Sequence, residues 1–257
     1  MLKRNLQKII RFVNILLFKK NLPKQIIIYF HETDETEVSA IEDIILFFQN
    51  LEYEFVSVSK ISQNFNSDKK MFSFTFDDGF LNWQNLIPIF DSYGVIATFY
   101  LNTIFLTDDG NDVFLRNIGL DNEEKIINKN VLSDLANRNH EIGAHTHSHF
   151  KLSNLNFEDF KDEIQKNLDI LRQFSENINS FAIPFGMRRY LKNEQIGYLE
   201  NNFKTICYGE AGMLFDQDHK NIQRYPWQIE LTFYQNLINL STDTNLFNKL
   251  TKRSGLG

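Results

Sequence analysis

Two short segments of this chain carry residue types that can do chemistry together. Thr75-Phe76-Asp77-Asp78-Gly79 ends an apolar run in two adjacent acids. His145-Thr146-His147-Ser148-His149 places three histidines within five residues. Between them the segments offer ligands for one divalent ion and a spare carboxylate beside it. That set is sufficient for metal-assisted hydrolysis, in which the ion acidifies water and the carboxylate takes its proton.

Each segment also has a plainer structural explanation. Asp-Asp-Gly is a common turn sequence, and Asp108-Asp109-Gly110 repeats it in the same chain. Context separates the two, because only the first follows alternating apolar residues. Two carboxylates side by side repel, so placing both at a strand end calls for a compensating cation. Adjacent side chains on an extended segment point to opposite faces. A turn permitted by Gly79 lets one carboxylate bind an ion while the other faces the water. His145 and His149, at i and i+4, share a face of a helix, and a tight loop also lets them converge. His147 points away in the helical case and supports the loop or covers the pocket. A solvated polar turn is the bland alternative. With Asp78, the ligand set becomes two imidazoles and one carboxylate, which leaves open positions as a catalytic site requires.

The chain's bulk properties narrow the options. Its 257 residues are enough for one large α/β domain or two small ones. A net charge of -6 argues against nucleic-acid binding, which needs a basic footprint. Cys207 is the sole cysteine, so no internal disulfide forms and any metal sits on nitrogen and oxygen. The first 24 residues hold Lys3, Arg4, Lys8, Arg11, Lys19, Lys20 and Lys24 and no acid. Leu2, Leu6, Ile9, Val13, Leu16 and Leu17 fall there at helical spacing, which predicts a basic amphipathic helix over residues 1–22. Its apolar stretch is too short and too polar to span a bilayer. Lys19-Lys20 stands where a secretory cleavage site would be, so the expected location is cytoplasmic. Two readings of the helix stay open: peripheral contact with anionic lipid at the inner membrane face through residues 1–20, or packing on the domain.

Residues 23–257 form the expected catalytic domain. Apolar β-rich runs predict strands over 25–30, 55–58, 71–76, 95–101, 141–144, 180–183 and 205–208. Helical patterns cover 42–49, 83–93, 123–138 and 157–174, the last with Phe157, Phe160, Ile164, Leu168 and Leu171 on one face. Strands alternating with helices imply βα units around a mostly parallel sheet or barrel. Both polar segments follow strands, where βα loops build active sites.

The sequence resembles the polysaccharide deacetylase (NodB-homology) family, carbohydrate esterase family 4. Thr75-Phe76-Asp77-Asp78-Gly79 matches its first motif, and the run from His140 to His149 matches its second. Phe181-Ala182-Ile183-Pro184-Phe185-Gly186 is similar to the third motif of one branch, and Tyr29-Phe30-His31 to the strand that begins many of its members. The similarity covers residues 25–186. It implies a distorted (β/α) barrel with one divalent metal, usually zinc, bound by Asp78, His145 and His149. It further implies Asp77 as general base and the Phe185 backbone N–H as a donor to the oxyanion. The implied reaction removes an acyl group, usually N-acetyl, from an amino sugar.

The chain also departs from the family pattern. The arginine that orients the base in many members is missing from the third motif, where Ala182-Ile183 precedes Pro184; Arg188 and Arg189 follow the turn. No histidine follows His219 to serve as general acid. His31 is the candidate replacement, and Asp77 returning its own proton is the other. Arg224 and Trp227 are assigned to a degenerate fourth motif that binds substrate, with a sugar stacked on Trp227; a core role is the alternative for the indole. The expected function is a metal-dependent deacetylase acting on an N-acetylated amino sugar of a glycan or glycolipid precursor. A non-catalytic carbohydrate-binding relative, and a deformylase or O-deacetylase on the same scaffold, are the competing readings.

Overall fold

The computed structural model describes residues 22–33, 35–107, 111–120, 125–209 and 218–241. The basic helix expected over 1–22 therefore lies outside the described residues apart from Leu22, and so does Asp108-Asp109-Gly110. Among the described residues no helix is long and apolar enough to cross a membrane.

Nine strands form one sheet: β1 Gln25–Phe30, β2 Glu54–Phe55, β3 Met71–Asp77, β4 Thr98–Leu101, β5 Glu141–Ala144, β6 Ser180–Ala182, β7 Thr205–Tyr208, β8 Asn221–Gln223 and β9 Tyr225–Pro226. Their order is β8-β7-β6-β5-β4-β3-β1-β9, with β2 against the start of β3, and every pairing is parallel. The two ends of that order, β8 and β9, are successive pieces of one extended segment separated by Arg224. One piece pairs with β7 and the other with β1, so residues 221–226 close the sheet into the distorted (β/α) barrel that the motifs imply. The Arg224 N–H donates to the Tyr208 carbonyl at 2.7 Å and the Trp227 N–H to that of Tyr29 at 3.4 Å.

Eight helices lie among the described residues: α1 Glu35–Asn50, α2 Val58–Gln63, α3 Ile87–Tyr93, α4 Asn111–Ile118, α5 Lys129–Asn137, α6 Phe157–Leu171, α7 Asn193–Asn202 and α8 over 233–241. Local signals set their ends. Asn128 and Asn156 accept from backbone N–H groups in the first turns of α5 and α6, and Gly94 ends α3 at φ 64°.

Strand alternation divides the core into two layers. On β3, Phe72, Phe74 and Phe76 face outward and pack with Phe30, Phe48, Phe90 and Phe99 beneath the helices. Met71 instead joins Ile27, Tyr100, Ala182, Cys207 and Ile222 in a separate inner cluster. Thr75 and Asp77 share the inner face with Met71 by the two-residue period. The barrel interior is thus apolar at one end and polar at the end where β3 delivers its aspartate.

Candidate active site

β3 is buried along its whole length and ends at Asp77. Asp78 follows at φ 80° and Gly79 at φ 81°. Two consecutive left-handed residues swing the chain so that neighbouring carboxylates, which a strand would send apart, both come near His145. Gly79 cannot be replaced freely, because a Cβ there would lie 2.9 Å from the Phe105 ring.

The histidines after β5 occupy a loop rather than a helix. Thr146 at φ 70° and His149 at φ 56° bend it so that both imidazoles turn inward. Buried amides hold this bend. Asn167 of α6 accepts from the His145 N–H at 3.2 Å and donates to the carbonyls of Thr146 at 2.7 Å and Leu101 at 2.9 Å. Asn102 donates to the His145 carbonyl, and Glu163 receives the Ser148 N–H at 2.8 Å and its hydroxyl at 3.0 Å. His147 braces the loop from outside, with Nδ1 2.9 Å from the Thr103 hydroxyl.

The result is a compact donor set. His145 Nε2 and His149 Nε2 each lie 3.3 Å from Asp78 Oδ1. One ligand atom from each of these three buried residues lies within 4.8 Å of the others. His145 Nδ1 donates to the Ala182 carbonyl at 2.8 Å, which fixes the tautomer and turns the Nε2 lone pair towards Asp78. Asp78 Oδ1 is buried and has no hydrogen-bond partner among the described residues. Burial works against the Asp78 charge, yet the His149 and His145 rings hold its carboxyl well below the usual range. Burial also lowers the His149 pKa to about 4, against the pull of the Asp78 carboxylate. Two imidazole nitrogens facing a buried carboxylate oxygen make a site that could hold a divalent cation, and the nitrogen and oxygen donors suit zinc.

Asp77 is held separately. Arg224 donates Nη1 to Oδ1 at 2.6 Å and Nη2 to Oδ2 at 2.7 Å, and Nη1 also reaches the Thr75 hydroxyl at 3.1 Å. The guanidinium lies between two phenol rings, 4.9 Å from the Tyr29 centroid and 5.0 Å from that of Tyr100. Burial opposes the Asp77 charge, but the Arg224 cation outweighs it and the carboxyl stays low. Cys207 lies beneath, 3.2 Å from the Tyr100 hydroxyl, and burial pushes its thiol up to about 12, so it is not a nucleophile.

The remaining candidates fall into two groups. His31 and Phe185 join the site. The His31 side chain is 52 % exposed, with Nε2 3.9 Å from Asp78 Oδ2. Phe185, at φ 62°, sits in the turn after β6 with its ring 4.8 Å from that of His149. Its backbone N–H has no acceptor among the described residues. Arg224 and Trp227 differ from the expected sugar-binding role. Arg224 is 1 % exposed, with both terminal nitrogens on Asp77, so it presents no accessible face to a sugar. Trp227 is 9 % exposed and packs against Phe233, between the barrel and its outer helices. Closure of the barrel explains both: the extended segment turns Ile222 and Arg224 inward, and Trp227, three residues further on, packs outside.

Asn167 and Glu163 escaped the sequence reading, although Asn167 shares the apolar face of its helix with Ile164, Leu168 and Leu171. A carboxamide on such a face is a signal for a buried polar anchor. A concavity of about 900 Å³ lies away from this centre, near Asn64, Phe65, Asn179 and Lys204 before β6 and β7.

Comparison with known proteins agrees with this arrangement. The sequence profile described as polysaccharide deacetylase matches residues 65–200. The chain belongs to the polysaccharide deacetylase family, and is thus a carbohydrate deacetylase, a hydrolase of carbon–nitrogen amide bonds. No curated protein matches it by sequence. Among solved structures it is similar to the Streptococcus pyogenes deacetylase PplD in complex with acetate, with TM-score 0.67 and 16 % identity over 86 % of this chain and 99 % of that one. A Bacillus cereus polysaccharide deacetylase gives 0.65 and 13 %, covering 84 % and 68 %. An Aggregatibacter actinomycetemcomitans de-N-acetylase gives 0.64 and 12 %, covering 84 % and 99 %. At these identities the likeness is one of fold.

Proposed function

We propose that this chain removes the N-acetyl group from an amino sugar of a glycan or glycolipid precursor, using one divalent ion held by Asp78, His145 and His149. The observation that carries the proposal is the meeting of those three donors at the C-terminal rim of the strands, with a second, separately anchored carboxylate beside them. When bound, the ion polarises the amide carbonyl and makes water a stronger acid near neutral pH.

Asp77 is the general base. Arg224 keeps it ionised and fixes its orientation, so it takes a proton from the water as the oxygen bonds to the amide carbon. The backbone N–H of Phe185 donates to the developing oxyanion, a contribution of about 3 kcal/mol for one such donor. His31, exposed at the rim, delivers a proton to the departing nitrogen as the carbon–nitrogen bond breaks. The products are acetate and a free amine. Acquisition of its charge by the amine prevents the reverse attack.

The test is amine release from acetylated and formylated amino-sugar oligomers, with and without chelator. Release should require a divalent ion and favour the acetyl group. Release that persists after complete ion removal would refute the proposal, and so would a clear preference for formyl.

A further inference from the structure

The loops that carry this centre also carry an unusual arrangement of positive charge in an acidic chain. Lys151 lies two residues beyond His149, and Arg189 four beyond Phe185. Lys151 Nζ stands 4.1 Å from the centroid of the Tyr190 ring, and the Arg189 guanidinium carbon 5.6 Å from the same centroid. One phenol ring therefore gathers two cations. Among the described residues neither has a carboxylate oxygen within 4.0 Å, whereas Lys24, Lys70, Arg138, Lys161 and Arg224 do.

The position of the pair follows from the sheet. β5 and β6 are neighbours, so the loops after them lie side by side on the rim that bears Asp78. They are tied together: Gln195 Nε2 donates to the Leu152 carbonyl at 2.9 Å, and Lys192 Nζ to that of Leu155 at 2.9 Å. Two residues of chain span at most about 8 Å between Cα atoms, which keeps Lys151 close to His149. Cations gathered on one ring repel each other, and an anion bound beside them offsets that cost. The ring contacts hold both side chains in place before anything binds, which lowers the entropy lost on binding.

The geometry points to an anion subsite made by Lys151, Arg189 and Tyr190, which selects glycans bearing a carboxylate or phosphate close to the acylated amino sugar. The inference rests on the deacetylase reading for the centre itself. The fork of Arg189 suits two anionic oxygens at once, and Lys151 adds a point charge.

Calorimetric binding to the full chain, with chelator present so that no ligand is consumed, tests the subsite directly. Three N-acetylhexosamine oligomers of equal length serve as probes: one neutral, one alternating with uronic acid, one joined by phosphodiesters. At low salt one acidic oligomer should bind about 10-fold tighter than the neutral one, as two rim ion pairs allow. Which of the two it is identifies the anion. That advantage should shrink with added salt and vanish in the Lys151→Gln/Arg189→Gln double variant. Lys151→Arg should retain it. Equal binding of all three oligomers, or a preference that survives the double substitution, would overturn the subsite. Amine release with the ion restored separates the two ideas. Turnover without an acidic preference removes only the subsite, and an acidic preference without turnover removes only the deacetylase reading.

Discussion

The guanidinium of Arg224 grips the carboxylate of Asp77 at both oxygens, at 2.6 and 2.7 Å, with the pair sealed inside the barrel. The contact supplies what the third motif lacks. An arginine from the segment that closes the barrel sits beside Asp77, the proposed base, although it lies 147 residues further along the chain.

Because both charges are buried, removing one leaves the other without a partner. Arg224→Met should lower the free energy of unfolding by about 3–5 kcal/mol. Adding Asp77→Asn to it should recover part of that loss, since the stranded charge disappears. Urea denaturation of the unsubstituted chain and the two variants measures both effects. A double variant no more stable than Arg224→Met would argue against a buried pair.

Geometry at the base is as important as charge. Arg224→Lys keeps the cation but loses the fork, and should cut kcat about 100-fold through misplacement of Asp77. Divalent-ion affinity should hold within a few fold, because Asp78, His145 and His149 are untouched. Metal titration and steady-state kinetics on the same preparation check the two halves.

His31 is set apart from the buried ligands by its exposure. His31→Gln should lower kcat about 100-fold or more if the imidazole protonates the leaving nitrogen. A substrate whose leaving amine is already acidic should suffer much less from the substitution. An equal loss with both substrates would return His31 to a role in shaping the rim.

Asn167 acts at a distance from the ion. Asn167→Leu fills the same space but removes a donor to the Leu101 carbonyl, the shorter of two donors to that of Thr146, and the acceptor of the His145 N–H, costing about 1–3 kcal/mol of stability for each buried group left unpaired. The loosened loop should weaken divalent-ion binding about 10- to 100-fold. Competition against a chromogenic chelator gives the affinity.

His140 contributes a pH dependence that is independent of the ion. Burial against Phe90 and Phe99 lowers its pKa from 6.5 to about 4, and its Nδ1 accepts the Ala97 N–H at 3.2 Å. Above pH 6.5 the ring is neutral in folded and unfolded chains alike, and that stability is fully present. Between pH 6.5 and 4 only the unfolded chain takes up the proton, so stability falls, by about 3 kcal/mol at most. Below pH 4 the loss levels off. His140→Gln, which can still accept from Ala97, should flatten this part of the stability curve. Chemical denaturation at a series of pH values would reveal a curve of unchanged slope if the ring does not matter.

Much of this architecture was legible in the sequence because it is written in local patterns. Residues 25–30 and 71–76 alternate or run apolar long enough to announce strands, and the helix over 157–174 keeps its 3.6-residue period. The segment 221–226 escaped notice because two- and three-residue strands carry no period, and what defines them is pairing with β1 and β7. The expected helix over 83–93 is divided, with a 3-10 stretch Leu81–Leu86 before Pro88. Asp78, His145 and His149 were readable as a cluster of ligand types. The loop that brings the two histidines together was not, since its two left-handed residues are a threonine and a histidine rather than glycines. The partner of Asp77 was hidden for a different reason. Arg224 is a lone basic residue near the end of a polar stretch, and only the closed barrel brings it to the aspartate.

Docking of residues 221–226 between the first and seventh strands completes the scaffold and installs the arginine in one event. A chain still emerging from the ribosome, or one nicked ahead of that segment, would lack a correctly set base even with its imidazoles already gathered. With Asp77 as the proposed base, hydrolytic competence is thereby tied to completion of folding, and half-made molecules are expected to stay inert.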